Sequence, residues 1–375
     1  MATVHHRRVV VMSQPTSLSS TAQPIRRFRL AARRLKIELH GRRWDRIPAM
    51  EVASLPAAQC ADGFRHEALL YSGDEEFLAA TVDFIQAGIE LGEPVLVVVS
   101  AEKIGALRLE LGPDASAVQF ADMAGIGRNP ARIIPAWREF VDWGPAAGRT
   151  RRGVGEPIWQ GRSEIELIEC QRHEALLNIA FGGGTPWWLL CPYDTVALDE
   201  ATVTEASRSH PLLLIDGVHR EGLMGTHEEL ATAHLDAPLP ELPGLSADLV
   251  YGSQDLRDVR EYVAAHAIAS GLSAVKAFDL LVAVSEVATN SVRHGGGSGA
   301  LRVWHDHESV VCEFSDCGKV TDPLAGRRIP DVDAEGERGL WLANQLCDLV
   351  QLRVYDFGTV IRLHMRVGRG SSARR

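Results

Sequence analysis

Long apolar stretches are missing from this chain of 375 residues. The longest runs, such as Val95 to Val99 and Leu212 to Ile215, are far too short to span a bilayer as a helix. The early Val9-Val10-Val11-Met12 stretch is likewise too short for the hydrophobic region of a secretory signal. Cysteine is sparse. Cys60, Cys170, Cys191, Cys312, Cys317 and Cys347 are scattered without zinc-type pairing and read as buried thiols of a reducing compartment, so the expected location is the cytoplasm. The N-terminal half has no G-x-x-x-x-G-K-[ST] run, which excludes a P-loop there. An excess of positive charge is absent too. A net charge of −10 argues against general nucleic-acid affinity, and no direct DNA binding is expected. The first fifty residues are the local exception, with eleven Lys and Arg against Glu38 and Asp45. Residues 1–60 read as a basic disordered tail, with two alternatives: an arm for nucleic acid or an acidic partner, or an untranslated leader before Met50.

What is present is an ordinary soluble composition, 46% hydrophobic and 23% charged, in a chain long enough for two or three domains. Order is expected from Phe64. Helical periodicity over 75–91 precedes the valine run 95–99, which has the character of a buried parallel strand. A helix is predicted over 102–111, a strand over 118–120 and a helix from Pro130. A strand at Ile158-Trp159 follows, then a helix over 163–180 with Ser163 and Glu166 spaced as a capping box. A strand over 187–191, a helix over 199–208 and the apolar run 212–215 complete an alternation that predicts an α/β three-layer domain over 61–215.

This stretch resembles the MEDS sensory family of methanogen and methylotroph regulators. The likeness is carried by FRHEALLYSGDEEFLAATVDFIQAGIELGEPVLVVVS, GRNPARIIPAWREFV, GEPIWQGRSEIELIECQRHEALLNIAF and WWLLCPYDT. It implies a sensory role for an unknown small-molecule or protein signal. His66 and His173, each followed by Glu, are candidate sensor or phosphoacceptor residues, set against the alternative of half-buried imidazoles with local partners.

Residues 216–246 are polar and punctuated by Pro238, Pro240 and Pro243. They read as a linker with a short helix at 227–234. From 247 to 367 the pattern becomes edge strand, two helices, the first over 254–270 with Leu256, Val259, Val263 and Ile268 inward, a hairpin, a short helix and a second hairpin, an α+β two-layer sandwich; 368–375 is a tail. The second of those helices ends LLVAVSEVATNSVRH before GGGSG. Glu286 and Asn290 are four apart and share a helix face, where carboxylate and carboxamide oxygens suit Mg²⁺. Ser315-Asp316-Cys317-Gly318 ends a strand, where a carboxylate accepts from an exocyclic amine. Gly336-Glu337-Arg338-Gly339-Leu340 opens a helix whose free N–H groups favour phosphate, and Gly358-Thr359 lies on the last hairpin.

These four motifs, in this order, resemble the N, G1, G2 and G3 boxes of the GHKL ATPases, which have the Bergerat fold. The likeness is strongest to bacterial anti-sigma-factor serine kinases. It implies ATP and Mg²⁺ as cofactors, with Glu286 as catalytic base and Asn290 as the Mg²⁺ ligand. Asp316 would hold the adenine amine, with Gly318 making room for the base. Gly336, Arg338, Gly339 and Leu340 would stand about the phosphates, and Thr359 would assist adenine binding. His294 is read first as a helix cap, with approach to phosphate as the alternative. Two positions depart from the pattern: Val320 stands where a second glycine is usual, and Gly336 is displaced by one residue. The resemblance further implies a sigma factor and an anti-anti-sigma protein as partners, and a homodimer through the ATPase domain. The competing readings are a sensor histidine kinase and a non-catalytic ATP-binding partner-switching module.

Overall fold

The computed structural model describes residues 63–142, 150–182, 186–223, 238–240, 248–306, 308–331 and 338–368. The basic stretch 1–60, the expected helix at 227–234, Gly336 and the tail from 369 lie outside the described residues. No helix among the described residues is long and apolar enough to cross a membrane.

The N-terminal half is built on a seven-stranded mixed sheet. Its strands are β1 (Phe64–Tyr71), β2 (Val95–Val99), β3 (Val118–Asp122), β4 (Arg151–Gly155), β5 (Trp187–Asp194), β6 (Leu212–Ile215) and β7 (Val218–Glu221), in the order β3-β2-β4-β5-β1-β6-β7. All neighbours are parallel except β6 and β7. The helices are α1 (Gly73–Glu90), α2 (Ala101–Leu111), the single turn α3 (Met123–Ile126), α4 (Ile133–Asp142), α5 (Glu164–Phe181) and α6 (Glu200–Ser209). Because strand side chains alternate, β1 serves two cores. Ala68 and Leu70 pack with Trp137 of α4, Leu176 of α5 and Val203 of α6, while Leu69 and Tyr71 pack with Phe77 of α1 and Leu107 of α2.

Three elements depart from the sequence reading. Ile158-Trp159 is not a strand; β4 lies at 151–155 instead. Its RRGVG sequence hides the strand, because Gly153 and Gly155 are there to admit the Trp137 ring, which a Cβ on Gly155 would meet at 2.8 Å. β7 falls inside the stretch read as linker and pairs back on β6. Ile268, expected inward, is 75% exposed, one position past the Val259, Val263 and Ala267 face.

The C-terminal half is a five-stranded antiparallel sheet in the order β11-β12-β10-β9-β8. Its strands are β8 (Leu249–Gly252), β9 (Ser298–His305), β10 (Ser309–Asp316), β11 (Leu349–Tyr355) and β12 (Gly358–Arg366). Helices α7 (Leu256–Ala269), α8 (Ala274–His294) and α9 (Arg338–Leu346) share one apolar core with it, centred on Leu280, Val284, Phe314, Ala343 and Leu363. Ser273 caps α8 by accepting from the Lys276 N–H at 3.3 Å.

Residues 49–375 form one compact unit, so the two halves are packed together. The contact is polar and specific. The last carbonyls of a helix have no partner within it. Those of α9 and the turn beyond are taken by Arg132, which donates to Asn344 O at 2.9 Å, Cys347 O at 3.1 Å and Gln345 O. Asn129 Nδ2 adds a bond to Asn344 O at 3.0 Å, and Arg128 pairs with Asp348 at 2.9 Å. Glu166 closes the capping box of α5, accepting from the Ser163 N–H at 3.0 Å, and pairs with Arg366. At the centre the carboxylate of Glu169, 1% exposed, lies 2.7 Å from Arg353 Nη2 and 3.7 Å from both Arg172 Nη1 and Arg327 Nη2.

Burial would raise the Glu169 pKa, but the charges of Arg353, Arg172 and Arg327 outweigh it and hold the carboxyl below its ordinary range. Its contribution to stability is therefore complete above about pH 4.5, the unfolded value, and disappears as pH falls through the lower folded value. Glu169→Ala leaves three guanidiniums without a counter-charge and is expected to cost about 3–5 kcal/mol in denaturant unfolding at neutral pH. A midpoint unchanged from that of the parent chain would show that the cluster does not hold the halves together.

Candidate functional site

α8 places its functional side chains by period alone. Val284, Val287 and Ala288 are buried against the sheet, and Glu286 and Asn290, half-buried, emerge beside α9. Gly339 sits in the first turn of α9 and faces them. A Cβ there would stand 2.9 Å from Asn290 Nδ2 and 2.9 Å from Glu286 Oε2. The missing side chain thus brings the N-terminal turn of α9 against the carboxylate and carboxamide.

The second grouping lies at the ends of β10 and β12. Asp316 and Thr359 are directly opposite in the ladder. Asp316 Oδ1 accepts from the Gly318 N–H at 2.9 Å, a turn that fixes the carboxylate and leaves Oδ2 out of that bond. Thr359 Oγ1 donates to Gly318 O at 2.7 Å and accepts from the Val320 N–H at 3.4 Å, so the hydroxyl clips the loop after β10 to β12. Cys317 N–H donates to Gly295 O at 3.1 Å, tying the same loop to the end of α8. This crossing needs glycine. A Cβ on Gly318 would stand 2.5 Å from His294 O, and one on Gly358, whose φ is +143°, would stand 1.8 Å from Asp316 O. Gly318 therefore makes room for the end of α8.

Between the two groupings lies a cavity of about 320 Å³, within the usual range for small-ligand sites. Asn290, His294, Asp316, Gly318, Leu340 and Thr359 line it, as do Val287 and Ile361 on its apolar floor. Glu286 is beside it, against Gly339, and not in its lining. Arg338 is exposed and bonds Asp331 O at 3.4 Å. The α8 cap is Gly295; His294 is the last helical residue and faces the cavity.

The sequence reading missed one wall. Lys319, Asp322, Leu324, Ala325, Gly326 and Arg328 close the cavity between β10 and α9. The available signal was a Pro- and Gly-containing segment carrying Lys319, Arg327 and Arg328 between two recognised motifs. This wall is shared with the N-terminal half. Arg328 lines the cavity and pairs with Asp322 at 2.6 Å, while its neighbour Arg327 turns away to Glu169 of α5. Leu324, 3% exposed, belongs to the same apolar cluster as Ile158 and Cys170.

Gly318→Ala should push the end of α8 from Asp316 and lower stability by about 1–3 kcal/mol, the usual effect of overpacking. Gly105→Ala, in open space on α2, should leave stability unchanged or raise it by up to about 1 kcal/mol. Equal denaturation midpoints for the two variants would refute the close crossing.

Residues 65–211 match the family model of MEDS, the methanogen/methylotroph DcmR sensory domain, and residues 253–365 match that of the histidine kinase-like ATPase domain. No curated protein matches the chain. The second match contains the cavity and both groupings around it, and the first contains α5 and the residues that grip α9. The chain thus joins a MEDS sensory domain to a histidine kinase-like ATPase domain.

Proposed function

We propose that the chain is a sensory anti-sigma regulator whose C-terminal domain binds ATP with Mg²⁺ and phosphorylates a Ser or Thr of an antagonist protein. A sensory domain joined to an ATPase domain supports a signalling regulator that binds ATP; the kinase activity and its partners are our reading. The fold we assign is a three-layer α/β domain that β7 extends to Glu221, followed by a Bergerat-type sandwich from β8 onward. The observation that carries the proposal is the cavity itself. It has Asp316 and Thr359 fixed at one end, and beyond it Asn290 and Glu286 meet Gly339 at a helix start.

The residues fit a nucleotide. Asp316 Oδ2 suits the adenine amine, with Ile361 and Val287 on the apolar floor beside it. Asn290 Oδ1 suits Mg²⁺, and the first N–H groups of α9 suit phosphate, together with Lys319 and Arg328. Bound Mg²⁺ would neutralise charge on the phosphates. Glu286 would take the proton from the attacking protein hydroxyl. The chain's own contribution is to hold these groups in place and to exclude water with the 319–328 wall. Exposed Ile268, Val275 and Phe278, about the α7–α8 turn, give the domain the apolar surface a protein partner needs.

Phosphohistidine chemistry at the two candidate histidines is disfavoured by position. His66 lies within β1 and His173 within α5, 1% and 0% exposed, so neither can present a ring nitrogen to nucleotide.

Asp316→Asn should weaken ATP binding by roughly ten- to a hundredfold in calorimetry, the value of a charged hydrogen bond in a partly dry pocket. Unchanged affinity in a folded variant would remove Asp316 from the site. Glu286→Ala should lower phosphate transfer to a partner by about 10²–10⁴ while ATP binding survives, because a base acts in the transition state. Transfer surviving in that variant, or an acid-labile label on the chain itself, would overturn the serine-kinase reading.

A further inference from the structure

Four side chains from four elements converge inside the sensory domain, away from the nucleotide cavity. They are His66 of β1, Glu174 of α5, Cys191 of β5 and His210 after α6, each 1% exposed or less. Their ligand-type atoms all lie within 4.8 Å of one another. His66 Nε2 is 3.1 Å from Glu174 Oε2, His210 Nε2 is 3.2 Å from the same oxygen, and Cys191 Sγ is 3.4 Å from His66 Nε2.

The hydrogen bonds on the far side of each ring decide what these distances mean. Asn178 Nδ2 donates to Ser209 O at 2.8 Å, so Asn178 turns its Oδ1 to His66. His66 Nδ1 lies 3.0 Å from that oxygen and must carry the proton that it accepts. His210 Nδ1 is 2.8 Å from Ala206 O and must donate in the same way. In a neutral imidazole the proton is then spent, and both Nε2 atoms turn a lone pair toward one carboxylate oxygen. Three acceptors facing each other repel unless something positive lies among them. Among the described residues Glu174 Oε1, also buried, has no hydrogen-bond partner, and the polar side-chain atom beside His210 Nε2 is that shared Glu174 Oε2. The Cys191 thiol, 3.4 Å from His66 Nε2, can offer its one hydrogen to only one of these acceptors, and protonating both rings would place two imidazolium ions with centroids 4.0 Å apart in a sealed core. Two adjacent cations in a dry core are costly.

We propose that His66, Glu174, Cys191 and His210 bind one divalent transition ion of the zinc class. Ligands at about 2.0–2.3 Å from zinc in tetrahedral array stand roughly 3.3–3.5 Å apart, close to the three shortest separations here, with all the ligand atoms within 4.8 Å of one another. Two imidazoles, a carboxylate and a thiol form a borderline donor set that suits Zn²⁺ over Mg²⁺ or Ca²⁺. On binding, the Cys191 thiol loses its proton to solvent as the sulfur–metal bond forms. The two anionic ligands, Glu174 and the thiolate, then balance the ion's charge. Asn178 and the Ala206 carbonyl are the outer partners that hold the rings in the ligating tautomer. Four protein ligands leave no position for water, which marks a structural site. It would tie β1, β5, α5 and the end of α6 together, one and a half turns along α5 from Glu169 at the domain contact. None of this depends on the ATPase reading.

The full chain is expressed in minimal medium with zinc, and separately with cobalt as its coloured substitute. The expected result is one ion per chain and, for cobalt, the absorption of a tetrahedral site with a sulfur-to-metal charge-transfer band. Cys191→Ser should abolish that band and His210→Gln should reduce retained metal at least tenfold. Cys317→Ser, which changes an exposed thiol, should alter neither. A folded parent chain without stoichiometric metal from either medium overturns the proposal, as does a cobalt spectrum indifferent to Cys191→Ser. Should the Cys191 variant not fold, X-ray absorption of the zinc-loaded parent chain decides. One sulfur at about 2.3 Å with nitrogen and oxygen neighbours supports the site; several sulfurs, or none, overturns it.

Discussion

A carboxylate cannot be left dry and alone. Glu169 is dry, and the arrangement of both domains answers to it. α5 carries it into the contact, β11 brings Arg353, and the loop before α9 brings Arg327. Arg172, one turn along α5, then donates to Leu352 O at 2.7 Å. Three guanidiniums and one carboxylate leave positive charge in excess, which main-chain carbonyls such as that of Leu352 offset. Such clusters confer geometry more than stability, since an ion pair taken out of water gains little net energy. Here the geometry is what matters, because one of the three arginines belongs to the segment that walls the cavity.

That wall has two faces. Arg328, Asp322 and Gly326 face the cavity, while Arg327 and Leu324 are sunk against the sensory domain. Adjacent residues of a short loop cannot move independently. The segment is therefore one continuous connection between α5 and the cavity. α9 is held in the same way at its other end, where Arg132 grips its last carbonyls while Gly339 in its first turn meets Glu286 and Asn290. The sensory domain thus touches the 319–328 wall and the C-terminal end of α9.

The readings that succeeded were local. Glu286 and Asn290 share a face because a helix has its period, and Asp316 meets Thr359 because each ends or begins a strand flanked by turn residues. The valine run of β2 could hardly be anything but a buried strand. The failures were equally physical. β4 looks like a loop because its glycines serve Trp137, and its two arginines are buried through partners far away in the chain, Arg152 with Glu93 at 2.5 Å. The cysteines show no metal spacing because Cys191 meets His66, Glu174 and His210 from three other elements. Spacing reveals a ligand set only when neighbouring residues supply it.

By itself the sequence determined an α/β half followed by an antiparallel sheet with helices, because both rest on short-range periods and on turn residues. The tertiary structure alone decided that the 319–328 segment is a wall shared with the sensory domain, that Arg132 caps α9, and that four scattered donors meet in one core. Each of those joins residues tens to hundreds apart. What drives them is the requirement that buried charge and buried carbonyls find partners, a condition that acts only once the chain has closed on itself.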